Sequence, residues 1–254
     1  MKFHTGPKWD ERVITLEPAK KIGVLLSSGM DSTTLFKLLY DNFKETSIRI
    51  FNVQTSEDPS KPVIDELLKQ MDVDLELEIV GKSRWNWPMS AHYPRLCLAF
   101  QEIRETTDVE ELYCGNILPP HSQFFPRWDP TQKGIAKRPW LTNDIFLKNP
   151  FEHLEKYHVY DLGRRNGFES LYDFTISCNT HATIPCGDCM GCREVEWAFD
   201  QLYNECGVTL DQMTEEAVMK YGAIGWYCYK TNIMMPHRGM KRNMLMVDGK
   251  TIHI

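Results

Sequence analysis

Short apolar runs alternate with stretches whose apolar residues recur at helical spacing over the first half of this 254-residue chain. Runs rich in branched apolar residues are typical of buried strands, and a spacing of three and four residues is typical of one helix face. The pattern predicts strands at 22–26, 48–53, 75–80 and 111–114, and helices at 33–39, 63–71 and 95–105. Because strands that alternate with helices form parallel sheets, we predict an α/β fold: a Rossmann-like parallel sheet with helices on both faces.

The rest of the chain shows weaker patterns. They predict an edge strand at 12–16, helices at 152–166, 193–206 and 210–221, and a hairpin of strands 243–247 and 250–254. Gly167 is expected to end the first of these helices, because glycine is common just past a helix. Asp248 and Gly249 form a pair typical of a type I′ hairpin turn. We leave open whether this hairpin docks on the body of the protein or on a second copy in a homodimer.

A turn rich in serine and glycine separates the first strand from the first helix. Its sequence is Ser27-Ser28-Gly29-Met30-Asp31-Ser32. At a helix N-terminus, unpaired backbone N–H groups and the positive end of the helix dipole bind anions, serine hydroxyls add donors, and glycine allows close approach. A polyphosphate is therefore the expected ligand. The turn matches neither the Walker A motif nor the dinucleotide fingerprint, and a serine-rich helix cap without a ligand is the alternative.

Four of the eight cysteines lie close together in the sequence. Their spacing is C-x7-C-x2-C-x2-C, formed by Cys178, Cys186, Cys189 and Cys192. Four closely spaced thiolates match a closed tetrahedral zinc site. An iron–sulfur cluster is the competing interpretation, disfavoured because no Cys-Pro pair follows. The remaining cysteines are dispersed, and we expect ordinary buried thiols at Cys97, Cys114, Cys206 and Cys228.

Composition and charge narrow the class of protein. A hydrophobic fraction of 42% with 25% charged residues is typical of a globular protein, and no apolar run is long enough to cross a bilayer. The N-terminus lacks the apolar core of a signal peptide, so we expect a cytoplasmic protein with reduced cysteines. The net charge of −6 gives no strong nucleic-acid signal. A small-molecule substrate is therefore expected, with no membrane partner.

Two aromatic segments are candidates for lining a substrate site. They cover 85–95 and 117–140, and the second is too long to be an ordinary connection in a compact domain. Stacking faces of this kind suit a flat heterocycle. Packing of the same rings against the sheet is the alternative interpretation. We predict an ordered lid over the strand ends.

The serine turn and the cysteines together resemble the 7-cyano-7-deazaguanine synthase family of N-type (PP-loop) ATP pyrophosphatases. The turn is similar to the Ser-Gly-Gly-x-Asp-Ser loop of those enzymes, with Ser28 in place of a glycine. Residues 149–156 look like the family's Pro-Leu-x-His-Leu-x-Lys segment, and residues 177–178 and 185–193 follow its Ser-Cys and Cys-Gly-x-Cys-x-x-Cys patterns. The middle of the chain departs: residues 51–54 match Asp-Tyr-Gly-Gln only in Gln54, and Pro94-Arg95 partly echoes Pro-x-Arg-Asn.

The resemblance implies an ATP-dependent carbon–nitrogen ligase with ATP, Mg²⁺ and Zn²⁺ as cofactors. Such an enzyme converts 7-carboxy-7-deazaguanine and ammonia into the nitrile, as in queuosine-type biosynthesis, although an altered pocket would stop at the amide or take another carboxylate. The catalytic residues implied are Asp31, Ser32 and Lys156. The phosphate-binding residues implied are Ser27, Ser28, Gly29, Met30, Asp31 and Ser32. For the substrate we expect Arg95, Gly115 and Asn116.

Other functions share the same loop. A tRNA-thiolating or sulfate-activating relative would need a reactive thiol or a basic RNA surface, and a non-enzymatic zinc module would bind a nucleotide without cleaving it. Pyrophosphate release separates the enzymes from the binding module. We expect residues 1–175 to form the nucleotide-binding α/β domain. Residues 176–254 would form a zinc-binding knuckle, helices and hairpin packed on the same body.

Overall fold

The structure is a computed structural model that describes residues 1–8, 10–53, 60–81, 92–117, 146–178, 185–187, 189–203, 227–228, 233–234, 244–247 and 250–253. Its strands are β1 Lys2–Thr5, β2 Arg12–Thr15, β3 Lys21–Leu25, β4 Ser47–Val53, β5 Leu77–Val80, β6 Glu111–Tyr113, β7 Leu147–Lys148, β8 Tyr227–Cys228, β9 Ile233–Met234, β10 Met244–Val247 and β11 Lys250–His253. Its α-helices are α1 Met30–Asn42, α2 Lys61–Gln70, α3 His92–Thr106, α4 Lys156–Arg165 and α5 Met190–Tyr203, and a 3₁₀-helix covers Glu169–Phe174. No helix in these ranges is long and apolar enough to span a membrane.

The central sheet has five parallel strands in the order β5-β4-β3-β6-β7. The first of them along the chain, β3, lies in the middle, and Ile22 faces Ile48 on one neighbour and Glu111 on the other. This is the order of the first five strands of a Rossmann sheet, and the strand order reverses between β3 and β6, which is the topological switch point of the sheet. The predicted α/β parallel sheet is confirmed.

Helices cover both faces of the sheet. Side chains alternate along each strand, so Ile50 packs with α1, α2 and α4 on one face, while the adjacent Phe51 packs with α3 on the other. Gly23 lies under Phe51, and a Cβ atom there would approach Phe51 to 2.8 Å and Leu112 to 2.9 Å. Both faces of the sheet are buried, which explains why the strand sequences are nearly continuous runs of apolar residues.

A separate two-stranded antiparallel sheet, β1 with β2, packs against α4. The Gly6 N–H donates to a carboxylate oxygen of Asp161 at 2.8 Å, and the Thr5 hydroxyl donates to the carbonyl of His158. The predicted strand at 12–16 exists as β2. However, it pairs with β1, a strand that was not predicted. In the described part of the chain β2 belongs to this small sheet and not to the edge of the central sheet.

The element boundaries differ from the predictions where side chains cap the helices. Helix α4 begins at Lys156 and not at residue 152, because Glu155 and His158 form a capping box at its start. Gly167, with φ of +77°, lies just past its end as predicted. Helix α5 begins at Met190, inside the cysteine segment, and β7 was not predicted. These shifts place Lys156 and Cys192 in the first turns of their helices.

The C-terminal hairpin is confirmed by the pairing of β10 with β11, in which Val247 faces Lys250. Strands β9 and β8 extend it to an antiparallel sheet of four strands. The predicted turn residues 248–249, the helix at 210–221 and most of the aromatic lid lie outside the described residues. The division into two domains stays a prediction.

Candidate functional site

The serine turn closes on itself between β3 and α1. The Ser27 N–H donates to Ser32 Oγ at 3.0 Å, the two hydroxyl oxygens lie 2.9 Å apart, and the Gly29 N–H donates to Ser27 Oγ at 3.2 Å. Ser32 Oγ also donates to the carbonyl of Gly29 at 3.2 Å. All of these hydrogen bonds lie within the six residues, so the turn can form without contacts from distant parts of the chain. Ser27 and Ser32 therefore shape the turn and line it.

Two backbone donors stay open at the start of α1. The Met30 N–H donates to Ser177 Oγ at 3.4 Å. The N–H groups of Asp31 and Ser32 have no hydrogen-bond partner among the residues that the structure describes. Such unpaired donors, at the positive end of a helix dipole, are suited to a phosphate oxygen.

Ser28, which stands where the resembled loop has glycine, contacts a segment far along the chain. Its carbonyl accepts the N–H of Ile176 at 2.7 Å, and its hydroxyl donates to the carbonyl of Ile176 at 3.2 Å. The side chain is buried. In this structure the Ser28 hydroxyl thus binds residue 176, two residues before Cys178, and not the open side of the turn.

Asp31, Lys156 and Glu194 form a buried group of charges. Lys156 is only 2% exposed, and its Nζ lies 2.6 and 2.8 Å from the oxygens of Asp31 and 3.8 Å from Glu194 Oε2. Burial lowers the pKa of Lys156, but the charges of Asp31 and Glu194 outweigh it and hold that pKa above its usual value. Burial raises the pKa of Glu194 to about 7, although Lys156 opposes the rise. Lys156 is therefore charged and fixes the position of the Asp31 carboxylate.

The end of β6 passes against the start of α1. A Cβ atom on Gly115 would lie 2.9 Å from the carbonyl oxygen of Asp31, so only glycine allows this approach. The Asn116 N–H donates to Asn149 Oδ1 at 3.1 Å. The predicted substrate residues Gly115 and Asn116 thus lie beside the serine turn, at the switch point of the sheet. Arg95 belongs to α3, and its side chain is outside the described part.

Asn52, near the end of β4, carries an unusual polar atom. Its Nδ2 donates to the carbonyl of Leu26 at 2.7 Å, directly before the serine turn. Its Oδ1 is buried and has no partner in the described part of the chain. A buried acceptor without a partner is uncommon and often marks a site where a ligand or water completes the hydrogen bonds.

The four cysteines that the spacing singled out converge. Their sulfur atoms all lie within 4.8 Å of one another. The separations are 3.6 Å for Cys189 and Cys192, 3.7 Å for Cys178 and Cys189, and 4.0 Å for Cys186 and Cys192. Four sulfurs bound to one tetrahedral ion at about 2.3 Å would stand about 3.8 Å apart. The cluster therefore has the dimensions of a site for a single metal ion.

Backbone hydrogen bonding and burial act in opposite directions on the charge of the cysteine sulfurs. The Cys189 N–H donates to Cys186 Sγ at 3.3 Å, the bond expected when a sulfur carries negative charge. Burial raises the pKa of the Cys192 thiol, and the neighbouring sulfurs raise it further. Thiolates this close together are stable only when a cation offsets their repulsion.

Sequence reasoning missed three residues that join these two sites. Ile176 and Ser177 contact the serine turn, and Glu194 contacts Lys156. The only local signal was their position, since each lies within two residues of Cys178 or Cys192. Nothing in that pattern indicates contact with residues more than 140 positions earlier.

Comparisons with known proteins give a distant likeness. No family model matches the sequence, and no curated protein matches it. Among solved structures, the U34-tRNA thiolase NcsA from Methanococcus maripaludis, solved with its [4Fe-4S] cluster, is similar over 76% of this chain and 72% of that chain, with 14% identity and a TM-score of 0.42.

Proposed function

We propose that this protein is a PP-loop enzyme that cleaves ATP to AMP and pyrophosphate in order to activate a carboxylate. The observation that carries the proposal is the serine turn at the switch point of the sheet. It offers the open N–H groups of Asp31 and Ser32, with the Asp31 carboxylate fixed by buried Lys156. The resemblance of residues 27–32 to the loop of N-type ATP pyrophosphatases supports the same function.

The turn would bind the β and γ phosphates and leave the α phosphorus open to the substrate. A carboxylate oxygen then attacks that phosphorus, the bond to the bridging oxygen of the β phosphate breaks, and pyrophosphate leaves with the bond electrons. The open N–H donors stabilise the negative charge that develops on the departing group. The products are an acyl adenylate and pyrophosphate, and attack by ammonia on the adenylate releases AMP.

Asp31 would hold Mg²⁺ at this site. Carboxylate oxygens are the ligands that Mg²⁺ prefers, and the Asp31 side chain, 23% exposed, reaches solvent where Lys156 does not. Bound there, Mg²⁺ would neutralise the charge on the leaving pyrophosphate. Lys156 keeps the carboxylate in place from the buried side.

The cysteine cluster would hold one structural Zn²⁺. Its sulfur separations suit a single ion, whereas the irons of a cluster stand apart from one another and need their cysteines spread more widely. Four protein ligands leave no open position for water. The ion would therefore stabilise the fold around residues 178–192 and take no part in bond-making.

The proposed acceptor is 7-carboxy-7-deazaguanine, with ammonia as the nitrogen donor and the nitrile or the amide as product. It is supported by the paired resemblance of the loop and the cysteines. It is weakened at residues 51–54, where Asn52 stands in place of the family's tyrosine. A second ATP would be needed to activate the amide oxygen before the nitrile forms.

The decisive experiment supplies the purified protein with ATP, Mg²⁺, ammonium and this carboxylate, and identifies all products by mass spectrometry. We expect AMP, pyrophosphate, and the nitrile or the amide, which differ by one water. Asp31→Asn should abolish cleavage, and Glu194 would remain as a counter-ion for Lys156. ADP and phosphate as sole products would refute adenylation. AMP formed only with tRNA and a sulfur donor would favour a thiolase, and no cleavage with any acceptor would favour a binding module.

A further inference from the structure

We propose that Ser177 and Glu194 are positioning residues of the nucleotide site, through which metal binding at the cysteine cluster and anion binding at the serine turn are coupled. The inference rests on the proposed function, because it takes residues 27–32 as a phosphate site. It adds that the cysteine cluster controls how well that site is formed.

The first contact lies directly before the first metal ligand. Ile176 pairs with Ser28 through two hydrogen bonds, of 2.7 and 3.2 Å, and Ser177 Oγ accepts the N–H of Met30. Ser177 thereby occupies the first N–H of α1 and leaves those of Asp31 and Ser32 open. The position of residues 176–177 thus decides which donors an arriving anion meets.

The second contact follows the last metal ligand. Glu194 comes two residues after Cys192 on α5, a rotation of about 200° around the helix axis. The same helical turn therefore presents Cys192 to the cluster on one side and Glu194 to Lys156 on the other. Lys156 binds both carboxylate oxygens of Asp31. A shift of this helical turn would move Glu194 relative to Lys156 and thereby disturb the position of the Asp31 carboxylate.

A bound ion would fix both contacts at once. It would join Cys178, which follows Ser177 directly, to Cys192, which lies two residues before Glu194. Without the ion, no coordinate bond joins the four sulfurs, and weaker sulfur hydrogen bonds are left to hold the two segments in register. Ordering those segments costs conformational entropy. In the metal-free protein this cost falls on the anion when it binds, so its affinity is lower. Metal binding therefore favours anion binding, and by linkage the anion must favour metal binding by the same factor.

The reciprocal effect gives the sharpest test, and it needs no turnover. Full-length, metal-loaded protein is titrated with a colorimetric chelator, with and without saturating inorganic pyrophosphate. We expect pyrophosphate to raise by about tenfold the chelator concentration that removes half the metal. Pyrophosphate is itself a weak chelator, so its direct effect has the opposite sign. In Ser177→Ala and in Glu194→Gln the protection should disappear.

Matched controls are available outside both sites. Ser170→Ala changes an exposed serine on the 3₁₀-helix, and Glu66→Gln changes a half-exposed glutamate on α2. Both should keep the full protection. Ser177→Thr, which retains the hydroxyl, should keep it as well. Metal content and a thermal unfolding curve for each variant establish that the starting protein is folded and loaded.

The outcomes separate the inference from the function it rests on. If the unmodified protein binds pyrophosphate by calorimetry but shows no protection of the metal, the coupling is wrong and the proposed function stands. If protection persists in Ser177→Ala and Glu194→Gln, these residues do not transmit it. If no form of the protein binds pyrophosphate or ATP, both proposals fail.

Discussion

Lys156 Nζ lies within hydrogen-bond distance of both carboxylate oxygens of Asp31, which is 125 residues earlier in the chain. The lysine is buried and the aspartate is partly exposed, so the pair connects the protein interior to the serine turn. Replacing Lys156 by methionine should lower the free energy of unfolding by about 3 kcal/mol, because it leaves the buried Glu194 and the partly exposed Asp31 without a counter-charge. Urea denaturation measures this loss, and ATP cleavage should be lost with it.

Lys61→Met provides the comparison for that change. Lys61 pairs with Asp65 on the surface, four residues along the same helix, and its side chain is 49% exposed. Surface pairs of this kind contribute about 1 kcal/mol or less. Equal unfolding curves for the two variants would show that the Lys156 pair has no special weight in the fold.

Cys189→Ser should reduce metal content and thermal stability together. Cys189 lies within 3.7 Å of both Cys178 and Cys192, so its loss opens the site on two sides. Metal analysis should give one zinc per chain before the change and much less after it. Cys114→Ala, at a buried cysteine outside the cluster, should retain the metal. Iron with visible absorbance, or active protein without metal, would contradict the assignment.

Gly115→Ala should weaken ATP binding more than it weakens the fold. The added Cβ atom would lie 2.9 Å from the backbone oxygen of Asp31, and relief of that contact must move the first turn of α1. We expect the KM for ATP to rise about tenfold, which corresponds to about 1.4 kcal/mol of binding free energy.

Gly23→Ala makes an equally close contact, but with the side chains of Phe51 and Leu112 on the face of the sheet that packs against α3. Overpacking there should cost about 1–3 kcal/mol of stability and leave the KM for ATP unchanged. A KM that rises equally in both variants would remove the argument that Gly115 acts through α1.

His158 should make the fold sensitive to acid. Burial and the charge of Arg12 lower the pKa of His158 to about 4, with Asp10 opposing the shift in part. Its Nδ1 accepts the Glu155 N–H at 3.1 Å and its Nε2 donates to the Asp10 carbonyl at 2.9 Å, an arrangement that only the neutral ring permits.

The folded-state pKa lies below the usual 6.5, so the unfolded chain takes up this proton first as the pH falls. The stability that neutral His158 contributes to the fold is complete above pH 6.5, declines below that pH, and is lost near pH 4. It amounts to about 3 kcal/mol. Urea midpoints measured for the unmodified protein and for His158→Gln should converge over this interval as the pH falls. Parallel curves would show that His158 does not titrate between the two states.

Features that lie close together in the sequence were the ones predicted well. The serine turn forms through bonds within six residues, and the cysteines converge within fifteen, so their spacing carries the geometry. The two-residue strand β7 is too short to show any period, and its partner Leu112 lies 35 positions from Leu147. Likewise, a pattern can mark Lys156 and Asp31 as functional but cannot show that the lysine is buried.

The two-stranded sheet of β1 and β2 has a consequence for how the chain acquires its structure. Thr5 and Gly6 bind His158 and Asp161, across 153 and 155 residues. Contacts so far apart form only after the intervening chain has been made and has brought α4 into place. During synthesis the docking of β1 and β2 on α4 must therefore wait for α4 to leave the ribosome. Since α4 begins with Lys156, the docking of β1 and β2 and the formation of the Asp31–Lys156 pair both have to wait for α4.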